Sequence, residues 1–248
     1  MERQKQMHAD SQVVPSTIID DSETSPTFDC GADRRASASR APVSFATEEL
    51  LLVDSSDRVT GYASKLDAHT GAGHLHRAFS VFLFDPAGRV LVHQRSRQKP
   101  LWPGYWTNSC CSHPRRGESL DEAVSRRITE ELGVQAQARK IYHFEYHARF
   151  GAVGSEHELC HVFLARAPDP ATVSVHAEEI SAWDWMTAKE VDALVESDSS
   201  VLEDAAAGTV PETLPESATA RPVTPWFVME WRALRSNHAE ELAHFTHA

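Results

Sequence analysis

Between Ser119 and Gly133 the chain specifies both ends of a helix, and this segment constrains the fold more than any other. Ser119 and Glu122 stand three apart as a capping box: the serine oxygen accepts a backbone N–H and the glutamate reaches back to the cap. Leu120, Ala123, Val124, Ile128 and Leu132 then recur on one face at helical spacing. Gly133 supplies a left-handed stop. The other side carries Arg126, Arg127, Glu130 and Glu131. Arg126 with Glu130, and Arg127 with Glu131, read by themselves as two solvated ion pairs of roughly 0.2–0.5 kcal/mol each.

A helix with one apolar face needs a surface to cover, and strand-like runs lie on both sides of it. Residues 48–53 and 59–65 come first, followed by a loop carrying His69, His74 and His76. Residues 78–84 and 89–94 flank Asp85-Pro86-Ala87-Gly88, whose Pro and Gly offsets predict a hairpin. Residues 142–150, 156–166 and 179–186 are strand-like again. Thr187 and Glu190 form a second capping box, and Thr224-Pro225 opens a last helix with Thr as cap and Pro in the first position. This order predicts an α/β (α+β) fold, a mixed sheet sandwiched between helices in a single domain.

Composition sets the limits of that domain. Residues 1–43 are rich in Ser, Thr, Ala, Asp and Arg without apolar period, which predicts a disordered extension. The domain proper is expected over 44–235, interrupted by an exposed acidic insertion at about 196–222, with 236–248 as a flexible tail. The net charge of −12 argues against nucleic acid or an anionic membrane as partner. No apolar run reaches membrane length, and no apolar stretch follows the N-terminus as a secretory signal would require. Four cysteines, two of them adjacent, make no disulfide framework, so the reducing cytoplasm is expected; a monomer is expected as a separate matter.

The chemistry concentrates at residues 105–114, where Cys110, Cys111 and His113 precede the helix. Buried thiols are usually inert packing, and the residues alone leave that reading open. His69, His76, His113, Glu156 and Glu158 suit a divalent ion of the zinc, manganese or iron group better than calcium. Glu156, Glu158, Cys160, Val162 and Leu164 alternate to one side of a strand, so two carboxylates share an apolar face. A cation between them would relieve both repulsion and burial, and a strand end protruding into water is the alternative.

Residues 112–134 resemble the Nudix box, G-x5-E-x7-R-E-U-x-E-E-x-G-U with U a bulky aliphatic. Glu118, Arg126, Ile128, Glu130, Glu131, Gly133 and Val134 match; Ser112 replaces Gly and Arg127 replaces Glu. In hydrolytic members that Glu helps hold the activating metals, so Arg127 argues against pyrophosphate hydrolysis. The stretch His76-Arg77-Ala78-Phe79-Ser80, the run from Trp102 to Pro114, and Glu156-His157-Glu158 resemble type I isopentenyl-diphosphate Δ-isomerase. The likeness covers about residues 47–234. It implies a Nudix-like fold and interconversion of isopentenyl and dimethylallyl diphosphate, a small-molecule diphosphate being the partner. It further implies catalysis by Cys111 on one side of the five-carbon unit and by Glu158 with Tyr146 on the other. Trp226 would face the cationic intermediate, and Lys65, Arg95, Lys99 and Arg127 would bind the diphosphate. Mg²⁺ would be held by Glu131 and the Cys111 carbonyl, and one Mn²⁺ or Zn²⁺ by the His/Glu set. Two other classes stay open: a Nudix hydrolase, disfavoured by Arg127 and the Cys111/His113 pair, and a metal-stabilised binding module, disfavoured by intact Cys111 and Glu158.

Overall fold

A computed structural model describes residues 41–198, 200–214 and 221–246. The expected disordered extension lies outside the described residues except for 41–43. Among the described residues nine strands form one sheet: β1 (Glu49–Val53), β2 (Val59–Ser64), β3 (His76–Phe84), β4 (Val90–Arg95), β5 (Trp106–Thr107), β6 (Cys110–Ser112), β7 (Ala138–Phe150), β8 (Gly154–Arg166) and β9 (Ile180–Met186). Six helices accompany them: α1 (Lys65–His69), α2 (Leu120–Leu132), α3 (Ala188–Ser197), α4 (Val201–Ala207), α5 (Pro225–Asn237) and α6 (Ala239–Thr246). Among the described residues no helix is long and apolar enough to cross a membrane.

Strand β3 is the axis of the sheet. It runs parallel to β8 along its whole length and antiparallel to β1, β4 and β6. Its residues are apolar on both faces because both faces are covered. Val81 and Leu83 join Cys110 and the α2 residues Ala123, Val124, Ile128 and Leu132 in one core. Phe82 and Phe84, pointing the other way, join residues of α3, α4, α5 and α6 in the second. The sandwich expected from the order of elements is therefore present, with α2 on one face and the other long helices on the opposite face.

Helix α2 has the ends written in the sequence: both halves of the Ser119–Glu122 capping box form, and Gly133 adopts φ 70°. A Cβ at Gly133 would come 2.9 Å from the Ser174 carbonyl, so close packing as well as conformation selects glycine. The Thr187 box at α3 also forms. Thr224 occupies the cap position of α5 but gives no side-chain cap; its hydroxyl instead bonds the Thr107 hydroxyl at 2.9 Å.

Three local expectations are corrected. The segment holding His69 is not a loop: Ser64 caps α1, and His69 ends it. The acidic insertion is not simply exposed, because Val201 and Ala205 of α4 and Val210 are buried against the second core. Residues 215–220 of that insertion lie outside the described residues. The expected flexible tail contains α6, with Leu242 buried and the Phe245 ring 5.5 Å from Phe84. Leu242 and Phe245 are three apart, so they make one small apolar edge that needs the sheet to bury it.

Candidate active site

Strand register assembles the site. The parallel pairing of β3 and β8 sets His76 opposite Glu158, and the β7–β8 pairing sets Tyr146 opposite the same residue. The β3–β6 pairing sets Ser80 opposite Cys111. His69 is delivered by the end of α1, which bridges to β8 through Thr70 and Gly154. A Cβ at Gly154 would lie 2.4 Å from the His69 carbonyl, so only glycine lets β8 approach this closely.

The five expected metal ligands converge. One donor atom from each of His69, His76, His113, Glu156 and Glu158 lies within 4.8 Å of every other. His69 Nδ1 donates to the Lys65 carbonyl at 2.7 Å, and His76 Nδ1 to the His74 carbonyl at 2.7 Å. A neutral ring held this way presents an unprotonated Nε2. His69 Nε2 meets Glu156 at 2.9 Å, and His76 Nε2 lies 3.6 Å from Glu158 without a hydrogen-bond partner, although buried. Lone pairs facing carboxylate lone pairs require a proton or a cation between them. Burial pushes the His113 imidazole down to about 3 against the pull of Glu158, so this ring stays neutral. Three imidazoles and two carboxylates around one point form a site that fits a transition-type divalent ion.

Glu158 belongs equally to a neighbouring cavity. Its Oε1 contacts His113 Nε2 at 2.9 Å, and its Oε2 accepts from the Tyr146 hydroxyl at 2.7 Å. Burial works to raise the Glu158 carboxyl, but the neighbouring His113 and His76 imidazoles outweigh it and hold the group well below the usual carboxylate range. The cavity, of about 390 Å³, is lined by Cys111, Glu158, Tyr146 and Trp226 together with Lys65, Arg95 and Lys99. Cys111 Sγ donates to Asn108 Oδ1 at 2.8 Å and sits 3.4 Å from Ser80 Oγ. Burial pushes its thiol up to about 12, so it is protonated at neutral pH. Cys110 points into the α2 core with no exposure, as alternation along β6 requires.

The cations fall into two groups. Lys65, Arg95 and Lys99 face the cavity; burial, then the charges of Lys99 and Arg127, lower Lys65 to about 8. The Arg95 guanidinium lies 5.3 Å from the Trp226 ring centroid. Arg127 and Glu131, expected at the surface if read alone, are each 2 % exposed, which corrects the solvated-pair reading. Arg127 Nε donates to Glu131 at 2.8 Å, and its NH1 donates to the Val43 carbonyl at 2.6 Å. Neither residue is among those lining the cavity, and Glu131 stands apart from the five-ligand cluster.

The NUDIX domain family model matches residues 74–205. An isopentenyl-diphosphate Δ-isomerase of Photorhabdus laumondii is 37% identical over 79% of this chain and 99% of its own length. That of Burkholderia multivorans is 44% identical over 56% of this chain and 77% of its own. The chain belongs to the Nudix family and, within it, to the isopentenyl-diphosphate Δ-isomerases. A solved Deinococcus radiodurans structure, DR0079, aligns with 60% of this chain and 90% of its own at TM-score 0.50 and 24% identity, a likeness of fold.

Sequence reasoning on this isomerase-family chain passed over three residues that the structure places at the site. Glu179 is buried and lines the cavity; burial works to raise it, but Lys99 and then Arg127 hold it far below the usual range. Asn108 holds the Cys111 thiol, and Glu230 lies buried in α5. Glu230 left a readable signal: it follows Trp226 by four residues, so a carboxyl shares the face of a buried indole.

Proposed function

We propose that this cavity interconverts isopentenyl diphosphate and dimethylallyl diphosphate. The observation that carries the reading is one cavity whose wall holds a protonated thiol, Cys111, and a carboxylate–phenol pair, Glu158 with Tyr146, beside three cations. Moving the double bond needs a proton delivered at the terminal alkene carbon and another removed from the neighbouring methylene. An alkene is a very weak base, and the tertiary cation formed on protonation must not meet water, so both groups must act in a dry pocket. In this reading Cys111 serves one face of the five-carbon unit and Glu158 with Tyr146 the other. Trp226 presents its ring to the cation, an attraction of roughly 0.5–2 kcal/mol.

Lys65, Arg95 and Lys99 bind the diphosphate, and Arg127 supports them from behind. Phosphate oxygens near Lys65 would restore the charged ammonium that burial weakens. Mg²⁺ would enter with the diphosphate and would be held by Glu131 and the Cys111 carbonyl, Glu131 then giving up part of its pairing with Arg127. His69, His76, His113, Glu156 and Glu158 would hold one Mn²⁺ or Zn²⁺, which would fix Glu158 and tune its acidity. The protein acts as a monomer in the cytoplasm. Incubation with isopentenyl diphosphate and Mg²⁺ should give the acid-labile allylic isomer without phosphate release. Release of phosphate or pyrophosphate with no isomer would overturn the reading in favour of hydrolysis.

A further inference from the structure

Beside Cys111 the sheet meets α5, and there a carboxyl is completely enclosed. Glu230 has no solvent exposure. The Cys160 thiol lies 3.5 Å from Glu230 Oε1 and 3.5 Å from Ser80 Oγ, and Ser80 Oγ lies 3.4 Å from the Cys111 sulfur. Glu230 Oε2 is buried without a hydrogen-bond partner. A short polar chain therefore runs through the second core from α5 to the cavity wall. Nothing in the chemistry of Lys65, Arg95, Lys99 or the metal cluster accounts for it.

The surroundings decide the state of this carboxyl. The Cys160 thiol of β8 lies against it, the Tyr142 hydroxyl of β7 donates to its main-chain carbonyl at 3.2 Å, and Ser80 of β3, Cys111 of β6 and Glu158 of β8 lie within electrostatic reach. On its own helix, Arg235 and the Trp231 indole are engaged by Asp192 of α3. The faces it meets offer no cation, and the one formal charge among them, Glu158, is of like sign. Burial raises Glu230 to about 8 against the opposing Ser80 and Cys160 hydrogen bonds, so the group is a neutral acid at pH 7. A neutral acid both donates and accepts; a carboxylate only accepts.

We propose that Glu230 is a positioning residue for Cys111: it orders Cys160 and Ser80, and through them the orientation of the Cys111 thiol. The inference rests on Cys111 being the reacting thiol, and its test separates the two. The holoenzyme and its Glu230→Gln, Glu230→Leu, Ser80→Ala and Cys111→Ala variants are assayed for kcat and KM with isopentenyl diphosphate from pH 6 to 10. In parallel, iodoacetamide labelling of the Cys111 peptide is timed by mass spectrometry.

Glu230→Leu should lower kcat at least tenfold with KM within about threefold, and shift the Cys111 labelling rate at least fivefold. Glu230→Gln restores a neutral donor–acceptor and should recover most of kcat at pH 7. It should also hold kcat above pH 8, where the wild type declines as Glu230 ionises. Should Glu230→Leu not fold, Ser80→Ala breaks the same chain and should show the same loss in kcat at similar KM. A Glu230→Leu or Ser80→Ala enzyme with wild-type kcat and labelling overturns the proposal, as does a folded Glu230→Gln enzyme as impaired as Glu230→Leu. If Cys111→Ala itself isomerises normally, the catalytic reading of Cys111 fails, and the labelling rates alone decide whether Glu230 orders the thiol.

Discussion

Replacing each of the two adjacent cysteines separates packing from chemistry. β6 pairs antiparallel with β3, so Cys110 and Cys111 project to opposite faces of the sheet. Cys110 has no exposure and packs with Ala123, Val124 and Ile128 under α2. Cys110→Ala removes one sulfur from a close-packed core, comparable with removing one buried methyl group, about 0.5–1.5 kcal/mol. A loss of that size lowers the melting temperature by roughly 1–6 °C for a domain of this size. Turnover should change less than about threefold, or about 0.7 kcal/mol in barrier.

Cys111→Ala should behave in the opposite way. Sγ donates to Asn108 and lies beside Ser80 at the cavity wall, so stability should change by less than about 1 kcal/mol, the scale of one net hydrogen bond. Losing a positioned proton carrier should lower kcat by about 10²–10⁴, or more where the other face cannot act alone. Cys111→Ser should also be severely impaired, because an alcohol is a far weaker acid than a thiol. The assay is conversion of labelled isopentenyl diphosphate to acid-labile product, paired with thermal melting and with alkylation protected by substrate. A dead Cys110→Ala beside an active Cys111→Ala would show that the register through β6 is wrong.

Four further outcomes are expected. Glu230 is raised from 4.5 to about 8 in the folded chain, so its stabilising contribution is full below about pH 4.5 and is lost as pH rises to 8. Glu230→Gln should therefore gain on the wild type across that window by on the order of 4–5 kcal/mol at most, read by denaturant melts; a pH-independent difference would refute the shift. Arg127→Met leaves Glu131 buried without its partner and should cost about 3–5 kcal/mol, and a near-neutral result would show that the pair is not closed in solution. Glu156→Gln should lower metal content and activity together, whereas full occupancy in a His69→Ala, His76→Ala double variant would exclude the assigned ligands. Deleting residues 1–40 should change turnover less than about tenfold, about 1.4 kcal/mol, and a greater loss in folded protein would bring that segment into the mechanism.

Helix α2 was legible in full because capping and apolar period are local: Ser119, Glu122, Ile128 and Gly133 act within a few residues of one another. The strands, the turn at 85–88 and the opposite faces of Cys110 and Cys111 follow from equally short-range rules. The ligand types were legible too, as histidines and paired glutamates without an obvious surface role. Their convergence was not, since it depends on β3 lying parallel to β8 in the register that sets His76 against Glu158, across 81 intervening residues. Nor could local pattern show that Arg127 and Glu131 are buried, because the same i,i+4 spacing serves a solvated pair and a buried one; only the segment at Val43 and Glu179 closing over them decides. Leu242 and Phe245 offered too small an apolar edge to announce α6 until Phe84 was there to receive it. Glu230 is the sharpest case. A carboxyl in a helix reads as solvated by default, and only packing between β3, β8 and α5 removes the water that would have kept it charged.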